Sequence, residues 1–478
     1  MKILSTTSAA LILLGLPAFA QDSEKKDPNV EAAKRPSAIL QQAEWTDLFD
    51  GKTLNGWNGD TEGYVAKDGL LVCQKGGKNL QTDKTYSDFA FSFEFKLEGS
   101  GNNGIRIRHR EDGDFREGME IQILDQNGSK YNGEAEISGK PRKLTWLKPW
   151  QYNGSIYGVY PAKTGYLKPP GEWNKQTIIA IEDHIMVILN GAVIVDAFLD
   201  DLTPLAKPES TEHKSRSGHI LLAGHNDHVE FRNLKIADYT ASPASPETKR
   251  DNSPPPHFTA LFNGKDLAGW KGLAHRNANE RRALEGKLLA DAQATADQVM
   301  NEHWSVVEGI LTYDGEGQSL CTAKDYGDFE LYIDWKIPQG ADSGIYLRGT
   351  PQVGIWDPWK PQSKNERPMP ANAEEWVEIY RAGQNQGSGS LWNNKIYRHL
   401  PLKLADKKPG EWNTFFIRMV GEKVSVWLND TLVVDRTRLE NFWDKERKLP
   451  LPRLDQIELQ HHGSELFFKN LYIRELPY

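Results

Sequence analysis

The chain has 478 residues and carries 58 Lys and Arg against 66 Asp and Glu, a formal net charge of −8. That length predicts two or three domains, each long enough to bury a core. No basic surplus is available to neutralise phosphates, which argues against a nucleic-acid partner. The 15 Trp suit both the filling of a β core and stacking against sugar rings.

The N-terminus reads Lys2, an apolar run from Ala9 to Leu16, then Ala18-Phe19-Ala20. A charged start, a short apolar stretch and an A-x-A site predict a secretory signal peptide over 1–20 and an exported, soluble, periplasmic or secreted product. The run is too short to span a bilayer, and no later segment is apolar enough to do so. Residues 21–43 read as a polar lead-in.

Beyond the lead-in the hydrophobic period is two. Phe89 to Leu97 alternates, as do Ile105-Arg106-Ile107-Arg108 and Glu120-Ile121-Gln122-Ile123. Thr177–Leu189 and Ala192–Asp196 read as a hairpin turned at Asn190-Gly191. Many short strands at regular spacing predict an all-β sandwich. Cys73 and Cys321 are too few for a disulfide framework or a thiolate metal site and are expected to be buried thiols.

Residues 240–256 are Ala-, Ser- and Pro-rich, ending in Pro254-Pro255-Pro256, the composition of a linker. After it the pattern begins again. Leu48-Phe49-Asp50-Gly51-Lys52-Thr53-Leu54-Asn55-Gly56-Trp57 returns as Leu261-Phe262-Asn263-Gly264-Lys265-Asp266-Leu267-Ala268-Gly269-Trp270, and Gly171-Glu172-Trp173-Asn174 as Gly410-Glu411-Trp412-Asn413. Phe231-Arg232-Asn233-Leu234 returns as Phe468-Lys469-Asn470-Leu471. The kept order and long period predict two whole domains of one fold, domain one over 44–239 and domain two over 257–478. The Ala-, Leu- and Glu-rich stretch at about 277–300 reads as a helical insertion of domain two alone.

Alternation sorts side chains onto faces. Ile105, Ile107, Ile121 and Ile123 are assigned to the core, and Arg106, Arg108, Glu120 and Gln122 to the other side. If Ser92, Glu94 and Lys96 share their sheet, the result is a densely polar groove able to hold a sugar. An ordinary solvated face gives the same pattern. Glu120, Gln122 and Asp125 resemble the E-x-D-x-x-E spacing of laminarinase-like retaining glycosidases, with Gln and Asp in place of Asp and Glu.

The blocks in order are similar to the 3-keto-disaccharide hydrolase family, the 3-keto-glucoside 1,2-lyase/3-keto-2-hydroxyglucal hydratase domains, in two tandem copies. The resemblance rests on the two openings above, on Asn103-Gly104-Ile105-Arg106-Ile107-Arg108, and on Gly118 to Asp125. In domain two it rests on Asp342-Ser343-Gly344-Ile345-Tyr346-Leu347-Arg348, Gly389 to Asn394 and Leu459-Gln460-His461-His462-Gly463. It implies two concanavalin A-like jelly-roll sandwiches, and activity on glycosides whose C3 hydroxyl is already a ketone.

A C3 ketone acidifies the C2 hydrogen. A base can remove that proton, the C1 substituent then leaves by β-elimination, and hydration of the glycal yields the 3-keto sugar. Such a site needs a base, a donor for the enolate oxygen and an acid for the leaving oxygen. Glu120 is the expected base, Arg108 the enolate donor and His225 the acid. Arg106, Gln122, Asp125 and Tyr157 are expected to bind substrate, with Arg348, Gln352, Asp357, Trp392 and His462 in the second copy. For Asp125 a turn-capping role is the equal alternative. A divalent metal on Glu120, Asp125, Gln122 and His225 is possible, although no compact ligand motif is present.

The copies differ at the base. Arg108 matches Arg348, His225 matches His462 and Asp125 matches Asp357, but Glu120 aligns with Gln352 and Gln122 with Gly354. Asp334, opposite Glu94, is the one obvious replacement. Domain one is therefore the better catalytic candidate. The alternatives are a non-catalytic carbohydrate-binding protein and a conventional glycosidase using Glu120 and Asp125.

Overall fold

The computed structural model describes residues 27–110, 118–137, 140–241, 251–350, 352–359 and 387–478. The signal-peptide segment and most of the linker lie outside them. Among the described residues no helix is long and apolar enough to cross a membrane.

Each half is a two-sheet antiparallel jelly roll. In domain one an eight-stranded sheet runs Ala192–Phe198, His184–Leu189, Asn174–Ile181, Phe89–Leu97, Val229–Asp238, Leu70–Cys73, Tyr64–Lys67, with Thr46–Asp47 added beside Val229–Asp238. A five-stranded sheet packs against it in the order Trp57–Gly59, Asn79–Thr82, His219–Gly224, Asn102–His109, Met119–Leu124. Domain two repeats both sheets in the same order. Phe91, Phe93 and Phe95 from one sheet and Ile105, Ile107, Ile121 and Ile123 from the other fill the space between, so period-two patterning builds the core on one face of each strand.

Three expectations need correcting. Phe89–Leu97 and Asn102–His109 lie in different sheets, so Ser92, Glu94 and Lys96 do not extend the face carrying Arg106 and Glu120. Alternation assigns a face but not a sheet. The stretch Thr177–Leu189 is two strands, Asn174–Ile181 and His184–Leu189, because Glu182 takes φ 51° and turns the chain. The expected turn at Asn190-Gly191 is present, with φ 49° and 86° at its two residues, the left-handed pair that a two-residue hairpin requires. The insertion is helical as expected but broken, into Ala278–Arg282 and Gly286–His303.

The third correction concerns the lead-in. Residues Pro28–Leu40 form a helix capped by Asp27, whose carboxylate accepts from the Asn29 N–H at 2.8 Å. Its Ala33 and Leu40 pack with Ala90, Ile179 and Val193 of domain one and with Val420 and Leu476 of domain two. The two sandwiches also meet through segregated charge. Domain one contributes Asp88, Glu182, Asp183 and Asp200; domain two contributes Arg418, Lys423 and Arg436. Arg418 is buried between Asp88 at 2.5 Å, Glu182 at 3.2 Å and Glu330. Each domain thus covers buried charge of the other. Cys73 and Cys321 are both free and buried, as expected.

Candidate active site

The outer face of the domain-one five-stranded sheet carries the site. Arg106 and Glu120 are direct cross-strand partners, and Arg106 Nε donates to Glu120 Oε2 at 3.1 Å. His225, just past the His219–Gly224 strand, places Nε2 3.6 Å from the other carboxylate oxygen. Burial pushes the Glu120 carboxyl up. The His225 and Arg106 contacts outweigh that and leave it below the usual carboxylate range. Gly104 sits beneath the carboxylate, and a Cβ there would collide with it.

A cavity of about 500 Å³ opens over this group. Its sheet side is lined by Asn102, Arg106, Glu120, Gln122 and His225. Gln122 Nε2 donates to Asn102 Oδ1 at 3.1 Å. A second wall is the 149–160 segment, stitched to the edge strand by three backbone hydrogen bonds: Gln122 N–H to Ser155 O at 3.0 Å, Gly154 N–H to Gln122 O at 2.7 Å and Tyr157 N–H to Glu120 O at 2.8 Å. Tyr157 is half exposed there, edge-on to Trp150 at 5.3 Å, and its hydroxyl accepts from Gln151. Trp146, 57% exposed, adds a second aromatic face. The third wall comes from the loop after residue 199 and includes Ala206, Lys207, Ser210 and His213. Loops carry no periodic signal, so neither Trp146 nor His213 is legible from the strand pattern.

Arg108 is not in this cavity. Its φ of 55° ends the alternation, and the side chain turns inward, fully buried. Nε donates to Ser87 O at 2.8 Å, one terminal nitrogen to Glu182 O at 2.6 Å, and the other to Asp88 at 3.1 Å. Asp88 in turn holds Arg418, so Arg108 braces the domain junction. Arg348 is its counterpart, with φ 51°, buried against Asp328 and the Gly421 carbonyl. Asp125 is also diverted. It accepts from the Ser100 N–H at 2.8 Å and the Asn127 N–H at 3.2 Å, a turn cap; Asp357 repeats this with Gly340 and Trp359. The Glu120–Asp125 pair of a retaining glycosidase is therefore not assembled across the cavity. Among the described residues no three His, Cys, Asp or Glu side chains are grouped to hold a metal.

In domain two the matching position is filled differently. Gln352 is the cross-strand partner of Tyr346, and its amide bonds Gln460 and the Ser343 carbonyl. Glu458, also paired with Tyr346, takes Arg281 from the inserted helix at 3.0 Å. All are buried. His462 is exposed and 2.6 Å from Asp342, and Trp392 is exposed beside Trp356, ring centroids 6.1 Å apart. Asp334, bonded to Thr414 and Asn470, lies in the other sheet and cannot replace Glu120.

The profile of the 3-keto-alpha-glucoside-1,2-lyase-like domain matches residues 44–237 and again 257–474. The chain belongs to this family. A 3-keto-disaccharide hydrolase of Bacteroides thetaiotaomicron is 25% identical over 46% of the chain and 78% of its own length. A crystallised glycosyl hydrolase candidate from Parabacteroides distasonis is 28% identical over 41% of the chain and 99% of its own, with TM-score 0.35. A carbohydrate-binding module from Bacillus subtilis is 15% identical over 41% of the chain and 96% of its own, with TM-score 0.21. The chain is thus a tandem member of a carbohydrate-active, hydrolase-like family, and the two family matches coincide with its two sandwiches.

Proposed function

We propose that domain one cleaves 3-keto-glycosides by removal of the C2 proton, elimination of the C1 substituent and hydration of the resulting glycal. The observation that carries this reading is the Arg106–Glu120–His225 group at the head of a 500 Å³ cavity in a member of the 3-keto-glucoside lyase-like family. Glu120 is held ionised and supplies the base. Arg106 takes the part first expected of Arg108: a fixed cation beside the base, able to stabilise the enolate oxygen as charge develops. His225 stands beside the carboxylate and supports it. Tyr157 and Trp146 give the sugar ring apolar faces, and Gln122 a hydrogen bond. Domain two, lacking a carboxylate at Gln352, braces domain one and has no equivalent reaction. Its exposed Trp392 and His462 suit sugar contact. The first residues carry the protein out of the cytoplasm on this reading.

The test is incubation of the purified chain with a 3-keto-glucoside and with its unoxidised parent, following loss of each. Selective loss of the 3-keto compound is expected. Cleavage of both at the same rate would favour conventional hydrolysis, and binding without turnover of either would favour a carbohydrate-binding protein.

A further inference from the structure

His213 stands on the third wall of the domain-one cavity and is only 2% exposed. Neither ring nitrogen makes a hydrogen bond of good geometry among the described residues, although the Leu199 backbone lies near enough to favour the protonated ring. Buried polar groups are almost always bonded, so an imidazole lining a cavity without a well-formed bond calls for a partner that enters from the cavity. The segment that carries it is fixed. Ala206 N–H donates to Gly158 O at 2.8 Å, Lys214 N–H to Thr211 O at 2.8 Å, and Ser215 Oγ to Arg108 O at 3.0 Å. Arg216 is tied to Asp200. The ring is thus held at the cavity by its neighbours rather than by well-formed hydrogen bonds of its own.

The chemistry proposed above lacks one member. Elimination needs a proton for the leaving oxygen, and His225 stands on the side of the base, with Nε2 3.6 Å from Glu120 Oε1. Resting on that reading, we propose that His213 is the acid–base residue on the leaving-group side. In the elimination half Glu120 takes the C2 proton, the C1–O bond breaks, and the His213 imidazolium gives its proton to the departing oxygen. In the hydration half neutral His213 takes a proton from water, the hydroxide adds to C1, and Glu120 returns its proton to C2. Both residues end as they began. The domain-two segment Leu439–Gln456 contains no histidine, so the copy without the carboxylate also lacks this imidazole.

Burial lowers the readiness of the ring to take a proton, and Lys214 and Arg216 lower it further against the opposing charge of Asp200 and the Leu199 backbone. Lys207, Arg106, Glu120 and His225 line the same cavity. The acid form is the one that starts the reaction, so the rate on a poor leaving group should fall as pH rises through a value below the ordinary histidine range.

The experiment compares a 3-keto-glucoside of a simple alcohol with that of p-nitrophenol, using the full chain, His213→Asn, His213→Gln and His225→Asn. An alkoxide needs the acid and a nitrophenoxide barely does. The His213 variants should lose about 10²–10⁴-fold in kcat/KM on the alkyl substrate and less than about tenfold on the nitrophenyl one. His225→Asn, acting through the base, should lower both alike. In the wild type itself the fall at higher pH should be seen with the alkyl substrate alone, a readout that needs no variant. Equal losses on both substrates in the His213 variants, or no difference between the two wild-type pH profiles, would overturn the role of His213 while leaving the proposed reaction intact. Wild-type inactivity on both substrates would overturn the reaction, and this inference with it.

Discussion

Glu120 and Gln352 occupy the same register position in the two copies, each the direct cross-strand partner of the residue two before a buried arginine. In domain one the partner is Arg106 and the pair is ionic. In domain two it is Tyr346 and both residues are buried. The carboxylate is replaced by an amide at this one place in the fold, and the proposed site in domain one rests on that difference.

Arg106 and Arg108 separate catalysis from stability. Arg106→Gln should lower kcat on a 3-keto-glucoside by about 10²–10³-fold, the usual loss of an oxyanion donor, with little change in Tm. Arg108→Gln should do the reverse, because its three buried acceptors lose their donor. Paired kinetics and melting curves on the two variants check this.

Gly104→Ala is expected to act as a steric version of a base deletion. The added methyl meets the Glu120 side chain, forcing the carboxylate from Arg106 and His225. Activity should drop at least tenfold while the Tm changes by only a few degrees. Unaltered kinetics would show that the Glu120 position is not critical.

Arg418→Ala tests the junction. It removes the cation that Glu330 and Asp88 share, leaving Asp88 to Arg108 and Glu330 to Arg474 at 3.5 Å, and removing one partner of a buried ion pair costs about 3–5 kcal/mol. Glu182 adds a pH dependence. Burial raises its carboxyl to about 7 although Arg418 opposes the rise. A carboxyl whose folded pKa exceeds its unfolded value binds protons more readily when folded. Its contribution to stability is therefore greatest below about 4.5 and falls as pH rises to about 7. Glu182→Gln should flatten that stretch of the stability profile, measured by urea unfolding between pH 4.5 and 7.5. The same contacts predict that domain one expressed without residues 257–478 is less stable than it is in the full chain.

Activity should persist well into acid. The Glu120 carboxyl lies below its usual range, and its ionised form is the active one. The low-pH limb of kcat/KM should therefore fall below the ordinary glutamate value, and Arg106→Gln should move it upward.

The sequence made the sandwich fold legible because period-two alternation survives tertiary packing: Ile105, Ile107, Ile121 and Ile123 all reach the core. The same alternation placed Arg106, Glu120 and Gln122 correctly. It failed at Arg108, where one left-handed residue turns the side chain inward, and at Asp125, which lies past the strand end and serves a turn. It also failed for Ser92, Glu94 and Lys96, since a face can be read from one strand but sheet membership needs the partners. His213 and Trp146 sit in loops without a period. The charged junction was hidden because its two halves are separated by more than two hundred residues.

The most direct test of a single reactive copy is the rate of Glu120→Gln and of Gln352→Ala on one 3-keto-glucoside, beside the wild type. Loss of a positioned base predicts a fall of about 10²–10⁴-fold for Glu120→Gln with nearly unchanged binding, and a nearly wild-type rate for Gln352→Ala. Wild-type turnover by Glu120→Gln, or collapse of Gln352→Ala alone, would contradict the account and move the chemistry away from domain one.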